Sequence, residues 1–379
     1  MTQNVVTFRN GRIFDGRRLW AGHAMRFVDG LARELGPDAE VPKDGDVVDL
    51  SGDFLTPGYV DLQVNGGGGV MFNENPSVDV LRRIAMAHRS LGVSYLLPTL
   101  ISDSAEKTRA SIEATIKAVQ EGVPGVAGLH LEGPHLSIAR KGAHDPAFIR
   151  PMEQDDLETL IAASKLLPAL KVTVAPESVT EEQVSALARA GVLVSLGHSD
   201  ASLEVCMRYF AAGARCVTHL FNAMSQLGSR EPGLVGAALA NGRVSAGLIA
   251  DAVHVHPETI RTAWAAKKGP GQVFLVSDAM AVAGTGLSAF DLGGRTIQRR
   301  AGVLTLQDGT LAGADLDLTS AIKVMVEKVG VSMEAALNAA TSHPAALIGI
   351  PRARVDAPWR RLSDLRRVSS DLTSSDPLR

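Results

Sequence analysis

Four widely separated side chains have the types that metal-assisted hydrolysis needs: Glu132, His198, His219 and Asp278. Two imidazoles and one carboxylate make the ligand set found at hydrolytic zinc sites, where one position stays open to water. A divalent ion held in this way acidifies its water and polarises a carbonyl. The reaction then needs a base, and Asp278 is the candidate. Gln63, Asn65, Asp251 and His254 likewise stand at the ends of apolar runs. Taken singly, each has a plainer explanation. A lone histidine at a strand end usually hydrogen-bonds to nearby backbone, Asp278 ahead of a helix serves as an N-cap, and Gln63 and Asn65 are turn formers before a glycine run. Taken together the plainer explanation fails, because imidazoles and carboxylates gathered on one rim are an expensive way to make caps.

The other histidines divide by position. His130 alternates to the same side as Glu132, which suits a supporting partner for a ligand. His135, His144, His254 and His256 fall in loops after the third and seventh apolar runs, where substrate contacts are expected. His23, His88 and His343 lie outside those loops and read as structural. Arg230, in "GSREPG", is either a surface charge or an anion binder, since a guanidinium offers paired donors to phosphate.

Elements must bring these residues together. Eight short runs rich in Val, Leu and Ile, at 58–66, 93–100, 126–134, 170–177, 192–200, 214–222, 244–251 and 272–280, alternate with segments of helical periodicity. They lack strict alternation, as strands covered on both faces do. Strand and helix in alternation imply parallel pairing, and eight units over this length predict a (β/α)8 barrel, whose site lies at the C-terminal strand ends. A doubly wound open sheet is the alternative, but no GxGxxG follows the first run. "NGGGG" at 65–69 is followed by no GK[ST] and is not a phosphate-binding loop. The expected organisation is a small β-sandwich from both chain ends, with its N-terminal part at 1–56 and a return segment at 290–310. The barrel spans 57–289, helices packed on it span 311–350, and an atypical tail spans 351–379.

Bulk composition excludes several classes. The chain has 379 residues, 45% of them apolar and 21% charged, as in folded globular proteins. A net charge of −3 predicts no general attraction to nucleic acid or anionic membrane. No apolar stretch is long enough to span a bilayer, and "MTQNVVTFRNGR" does not read as a secretory signal. Cys206 and Cys216 form no CxxC pair, so a cytoplasmic location is expected.

"LHLEGPHLS", "KGAHD", "LGHSDA", "THLFNAM", "REPG", "ADAVH" and "LVSDAMAVAG", in this order, resemble the motif series of N-acetylglucosamine-6-phosphate deacetylases in the amidohydrolase superfamily. The resemblance covers approximately residues 10–350. It implies Glu132, His198 and His219 as metal ligands and Asp278 as proton acceptor and donor. It further implies substrate contacts at Ala143, His144, Asn222, Ala223, Arg230, the Asp251–His254 stretch, and Leu311, Ala312 and Gly313. Many relatives carry His-x-His on the first strand for a second metal. Gln63-Val64-Asn65 stands there instead, a vestigial second-metal position, so one divalent ion per subunit is expected, zinc first and iron, cobalt or manganese otherwise.

The implied substrate is N-acetyl-D-glucosamine 6-phosphate. The galactosamine epimer or another acetamido sugar phosphate is the alternative, and a non-catalytic scaffold is a minor one. The implied partner is a second copy of the chain, with Arg230 reaching the neighbouring site. Two departures stand out. Asp315 and Asp317 replace small, hydroxyl or apolar residues. The tail "PRARVDAPWRRLSDLRRVSSDLTSSDPLR" is Arg-, Ser- and Asp-rich, which predicts a poorly ordered end and a small domain without its closing strand.

Overall fold

The structure, a computed structural model, describes residues 4–349 and 361–378. Every residue of the first barrel strand, Tyr59–Val64, is buried, as an apolar run covered on both faces must be. Seven more follow: Val93–Ile101, Leu129–Glu132, Leu170–Val174, Leu193–Leu196, Cys216–Val217, Ser245–Leu248 and Val273–Leu275. Each hydrogen-bonds to the next in chain order, giving an eight-stranded (β/α)8 barrel. The eighth strand returns to the first through the Asp278 N–H to the Gln63 carbonyl (3.0 Å) and the Asn65 N–H to the Ala279 carbonyl (2.9 Å). Buried Asp61 reinforces this seam by accepting from the Ser277 N–H (3.2 Å) and the Gln63 N–H (3.2 Å). Burial pushes the Asp61 carboxyl up to about 7, against the opposing effect of the Ser277 hydrogen bonds. The seam presses Gln63 and Asn65 against Asp278.

The helices form where the periodicity predicts them. Val78–Ser90 starts at Ser77, whose hydroxyl accepts from Val80 N–H, and buries Leu81, Ile84, Ala85 and His88 along one face. Glu181–Arg189 starts with a capping box between Thr180 and Gln183 and buries Val184 and Leu187. Among the described residues no helix is long and apolar enough to cross a membrane.

The small domain packs two sheets. One orders Leu31–Pro37, His23–Val28, Val5–Arg9 and Asp46–Asp49; the other orders Ser375–Pro377, Leu365–Val368, Phe54–Pro57, Arg12–Phe14 and Leu19–Ala21. Two expectations require correction. Residues 290–310 do not join either sheet. Ala289–Leu292, Arg295–Arg300 and Val303–Thr305 form a separate three-stranded antiparallel sheet beside the strand ends. Short strands with glycine turns look alike in sequence, and nothing local names their pairing partner.

The tail also differs from expectation. Leu365–Val368 pairs antiparallel with Phe54–Pro57, and Ser375–Pro377 pairs with Leu365–Val368 in turn, so the closing strand is present. Residues 351–360, the first part of the tail, lie outside the described residues, as do residues 350 and 379. Composition hid the strand because a few well-spaced side chains suffice: Leu365, Val368 and Leu372 are buried, while Arg367 turns outward to Asp53 (2.7 Å).

The same strand buries Arg366, only 1% exposed, with Nε and Nη2 lacking a hydrogen-bond partner among the described residues. A desolvated, incompletely paired guanidinium opposes folding. Arg366→Leu is expected to raise stability by about 1–4 kcal/mol, read in thermal or urea unfolding. A lower unfolding midpoint would show that Arg366 is satisfied.

Candidate active site

Glu132 ends the third strand, and His198 and His219 lie two residues beyond the fifth and sixth. His198, His219 and Asp278 all have positive φ (47°, 29° and 50°), uncommon for non-glycine residues and characteristic of strained functional sites. These turns aim the side chains over the barrel mouth. Glu132 Oε1 lies 3.3 Å from His198 Nε2 and 3.0 Å from His219 Nε2, and the two imidazole nitrogens are 3.0 Å apart. His198 Nδ1–H donates to the Arg140 carbonyl (2.8 Å), which turns the Nε2 lone pair toward the cluster. Ligand atoms on tetrahedral zinc stand roughly 3.3 Å apart, so the three residues fit a divalent ion. Burial pushes the Glu132 carboxyl up, but the two imidazoles outweigh it and hold it well below the usual carboxylate range.

Asp278 Oδ1 accepts from Asn65 Nδ2 (2.7 Å) and Gln63 Nε2 (3.1 Å), and Gln63 Nε2 also donates to Glu132 (3.1 Å). Burial and the charge of Glu132 push the Asp278 carboxyl up. With Oδ1 occupied, Oδ2 makes no hydrogen bond among the described residues and is the atom free to exchange a proton. The amide oxygens Gln63 Oε1 and Asn65 Oδ1 are buried without a partner among the described residues.

Two further histidines line the cleft in complementary states. His144 Nδ1 accepts from the Ser102 N–H (3.2 Å), which can only donate, so the ring proton sits on Nε2. Burial pushes the His144 imidazole down to about 3, with His198 adding to the effect, and the ring is a neutral donor. His254 Nδ1–H instead donates to Asp251 Oδ2 (2.6 Å), which fixes the ring and leaves Nε2 as the nitrogen open to a ligand. Asp251 also accepts from the Val253 and His254 N–H groups (both 2.8 Å).

Residues 54–353 match the amidohydrolase family. The chain belongs to the amidohydrolase family. Among its relatives, the N-acetylgalactosamine-6-phosphate deacetylase of Shewanella sp. is 40% identical, over 84% of this chain and 82% of that one. The N-acetylglucosamine-6-phosphate deacetylase of Haemophilus influenzae is 36% identical, over 83% and 82%. The solved N-acetylglucosamine-6-phosphate deacetylase of Pasteurella multocida has a TM-score of 0.90 at 30% identity, covering 98% of this chain and 97% of that one.

In this amidohydrolase the cleft has a volume of about 260 Å³. It gathers Asn65, Glu132, Ala143, His144, His198, His219, Asn222, Ala223, His254, Asp278, Leu311 and Gly313. The other expected residues lie elsewhere. Gln63 sits beneath the cleft, Asp251 stands behind His254, and Ala312 turns into an apolar cluster. Arg230 is exposed on the loop after the sixth strand.

His130 does not support a ligand, because its nitrogens bond Thr99 Oγ1 (3.1 Å) and Thr173 Oγ1 (2.7 Å) inside the barrel. Strand alternation places it inward, one layer below the rim. His135 turns to the Arg150 carbonyl (3.1 Å), and His256 caps the helix Pro257–Ala266. His23, His88 and His343 bond backbone carbonyls, as structural histidines do. Asp315 pairs with Arg299 (2.6 Å), and Asp317 caps the helix Leu318–Val324. Sequence reasoning missed Ile101, Gly142, Ile249, Met280, Leu292 and Thr310, which also line the cleft. Ile101 lies one residue past the second apolar run and Met280 ends the eighth, so neither stood out, and Leu292 lies in the segment assigned to the other domain.

Proposed function

We propose that this amidohydrolase hydrolyses the acetamide of N-acetyl-D-glucosamine 6-phosphate to D-glucosamine 6-phosphate and acetate. The observation that carries the proposal is the convergence of Glu132, His198 and His219 on one point beside Asp278, in a cleft at the barrel's strand ends. Retention of all four groups argues against a non-catalytic scaffold.

Glu132, His198 and His219 would hold one divalent ion, zinc in the first instance and iron, cobalt or manganese otherwise. When bound, the ion acidifies the attacking water and polarises the acetamide carbonyl. Gln63 and Asn65 commit their amide N–H groups to Asp278, and their oxygens are weaker ligands than imidazole, which supports a single tightly held ion. Asp278, with Oδ1 fixed by these amides, accepts the water's proton at Oδ2 and returns it to the leaving amine. His144 donates through Nε2–H to the oxygen that gains charge. His254, oriented by Asp251, accepts from a sugar hydroxyl.

Arg230 holds the 6-phosphate from a neighbouring subunit in this reading. Its exposure and the exposed apolar side chains Ile138, Leu227 and Val253 on loops of the same barrel face support such a contact. Arg230→Ala is expected to lower kcat/KM for the phosphorylated sugar by on the order of 10²-fold. Turnover of unphosphorylated N-acetylglucosamine should change little. Equal losses on both substrates would point to a folding or assembly defect. The two buried, unpaired cysteines fit a cytoplasmic setting.

The relative at 40% identity named for the galactosamine sugar favours a second reading, the 4-epimer as substrate. Acetate release from both 6-phosphates, with elemental analysis of the same preparation, tests both readings. The expected result is one ion per chain and a higher kcat/KM for the gluco sugar. A reversed preference would establish the second reading, and no release from either sugar would reject both.

A further inference from the structure

The two sides of the cleft differ in chemistry. Toward the sixth and seventh strands, Asn222 and His254 offer polar groups, with Ile249 the one large apolar side chain among them. Toward the eighth, first and second strands stands an apolar wall of Ile101, Met280 and Leu292. These three are buried and belong to one packed cluster with Met71, Ile297 and Leu304. Ile101 is in register with Glu132 on the neighbouring strand, and Met280 lies two residues beyond Asp278. The wall therefore adjoins the groups proposed to attack the amide.

Leu292 reaches this wall from outside the barrel. It flanks the tip of the hairpin Ala289–Leu292 and Arg295–Arg300, where Gly293 and Gly294 both adopt positive φ (56° and 75°) in the two-residue turn that joins the strands. Arg295, across the tip, donates to the Ala143 carbonyl (2.7 Å) and so ties the hairpin to the loop that carries His144. Arg299 secures its other end through Asp315 (2.6 Å) and the Thr285 carbonyl (2.9 Å). Asp315 thus acquires a role in holding the hairpin over the cleft.

A phosphorylated acetamido sugar carries hydroxyls and a phosphate, and its one methyl group is bonded directly to the carbon under attack. That methyl lies about 1.5 Å from the reacting carbon, so the apolar surface beside Glu132 and Asp278 is where it lodges. We propose that Leu292, with Ile101 and Met280, closes an acyl pocket and limits the substrate to short acyl groups. The inference rests on the deacetylase reading.

The test compares kcat/KM for glucosamine 6-phosphate carrying N-acetyl, N-propionyl or N-butyryl groups, in the wild-type chain, Leu292→Ala and Met280→Ala. One methylene too many in a closed apolar pocket changes rates by about 10–200-fold. The wild-type chain is expected to lose about 10-fold or more per added carbon. Leu292→Ala should raise the butyryl-to-acetyl ratio by about 10-fold or more, and Met280→Ala should move it in the same direction. Unchanged ratios in both folded variants would overturn the acyl pocket alone, since acetate release by the wild-type chain keeps the deacetylase reading. A ratio that moves in Ile249→Ala, on the seventh-strand side, but not in Leu292→Ala would also overturn it. No carboxylate release from any of the three sugars by the wild-type chain would remove the deacetylase reading and this inference together.

Discussion

Asp278→Asn is expected to lower acetate release by on the order of 10²–10⁴-fold while leaving fold and metal content unchanged. The geometry favours so clean a separation. Asn65 Nδ2 and Gln63 Nε2 donate to Oδ1 of Asp278, and an asparagine oxygen can accept both bonds in the same place. What the substitution removes is the acceptor at Oδ2 proposed to take the proton and return it. Metal analysis, a thermal unfolding midpoint and steady-state rates on one preparation separate the effects. Near-native turnover with normal metal content would remove Asp278 from the reaction.

Glu132→Ala should act differently, by emptying the metal site. Glu132 Oε1 lies 3.0–3.3 Å from both imidazole Nε2 atoms and is the one charged member of the set. Without it, two neutral nitrogens would hold the ion, and affinity should fall by on the order of 10²-fold or more. After dialysis, metal content should drop from about one ion per chain to near zero. Acetate release should fall with it and return partly when excess metal is supplied. A variant that keeps a full complement of metal would place the ion elsewhere. Glu132→Gln, which keeps the shape and loses the charge, should lie between the two.

Much of this molecule is decided locally. An apolar run long enough for one strand, followed by a helical repeat with a Ser or Thr cap, specifies a βα unit whatever lies around it, as Ser77 and Thr180 show. Eight such units predict the barrel, and a barrel predicts that polar residues at strand ends share a rim. Glu132, His198, His219 and Asp278 were therefore legible as a set before their distances were known. His144 and His254 were legible as loop residues over that rim, but not as donor and acceptor. Those states depend on the Ser102 N–H and the Asp251 carboxylate at the opposite ring nitrogens.

What only the tertiary structure decided is pairing. Strand partners are chosen across the whole chain by burial and register, and short strands carry little information about them. The segment 290–310 accordingly joined neither small-domain sheet and lies over the cleft, bringing Leu292 to it. The tail became a strand on Phe54–Pro57 because Leu365 and Val368 found apolar surface there, despite an arginine-rich composition. His130 faces the barrel interior as alternation requires, yet its depth put Thr99 and Thr173, not a ligand, within reach. Periodicity tells which face a side chain occupies; only the packed barrel sets its height along the axis, and height decides whether a polar group meets the substrate or the core.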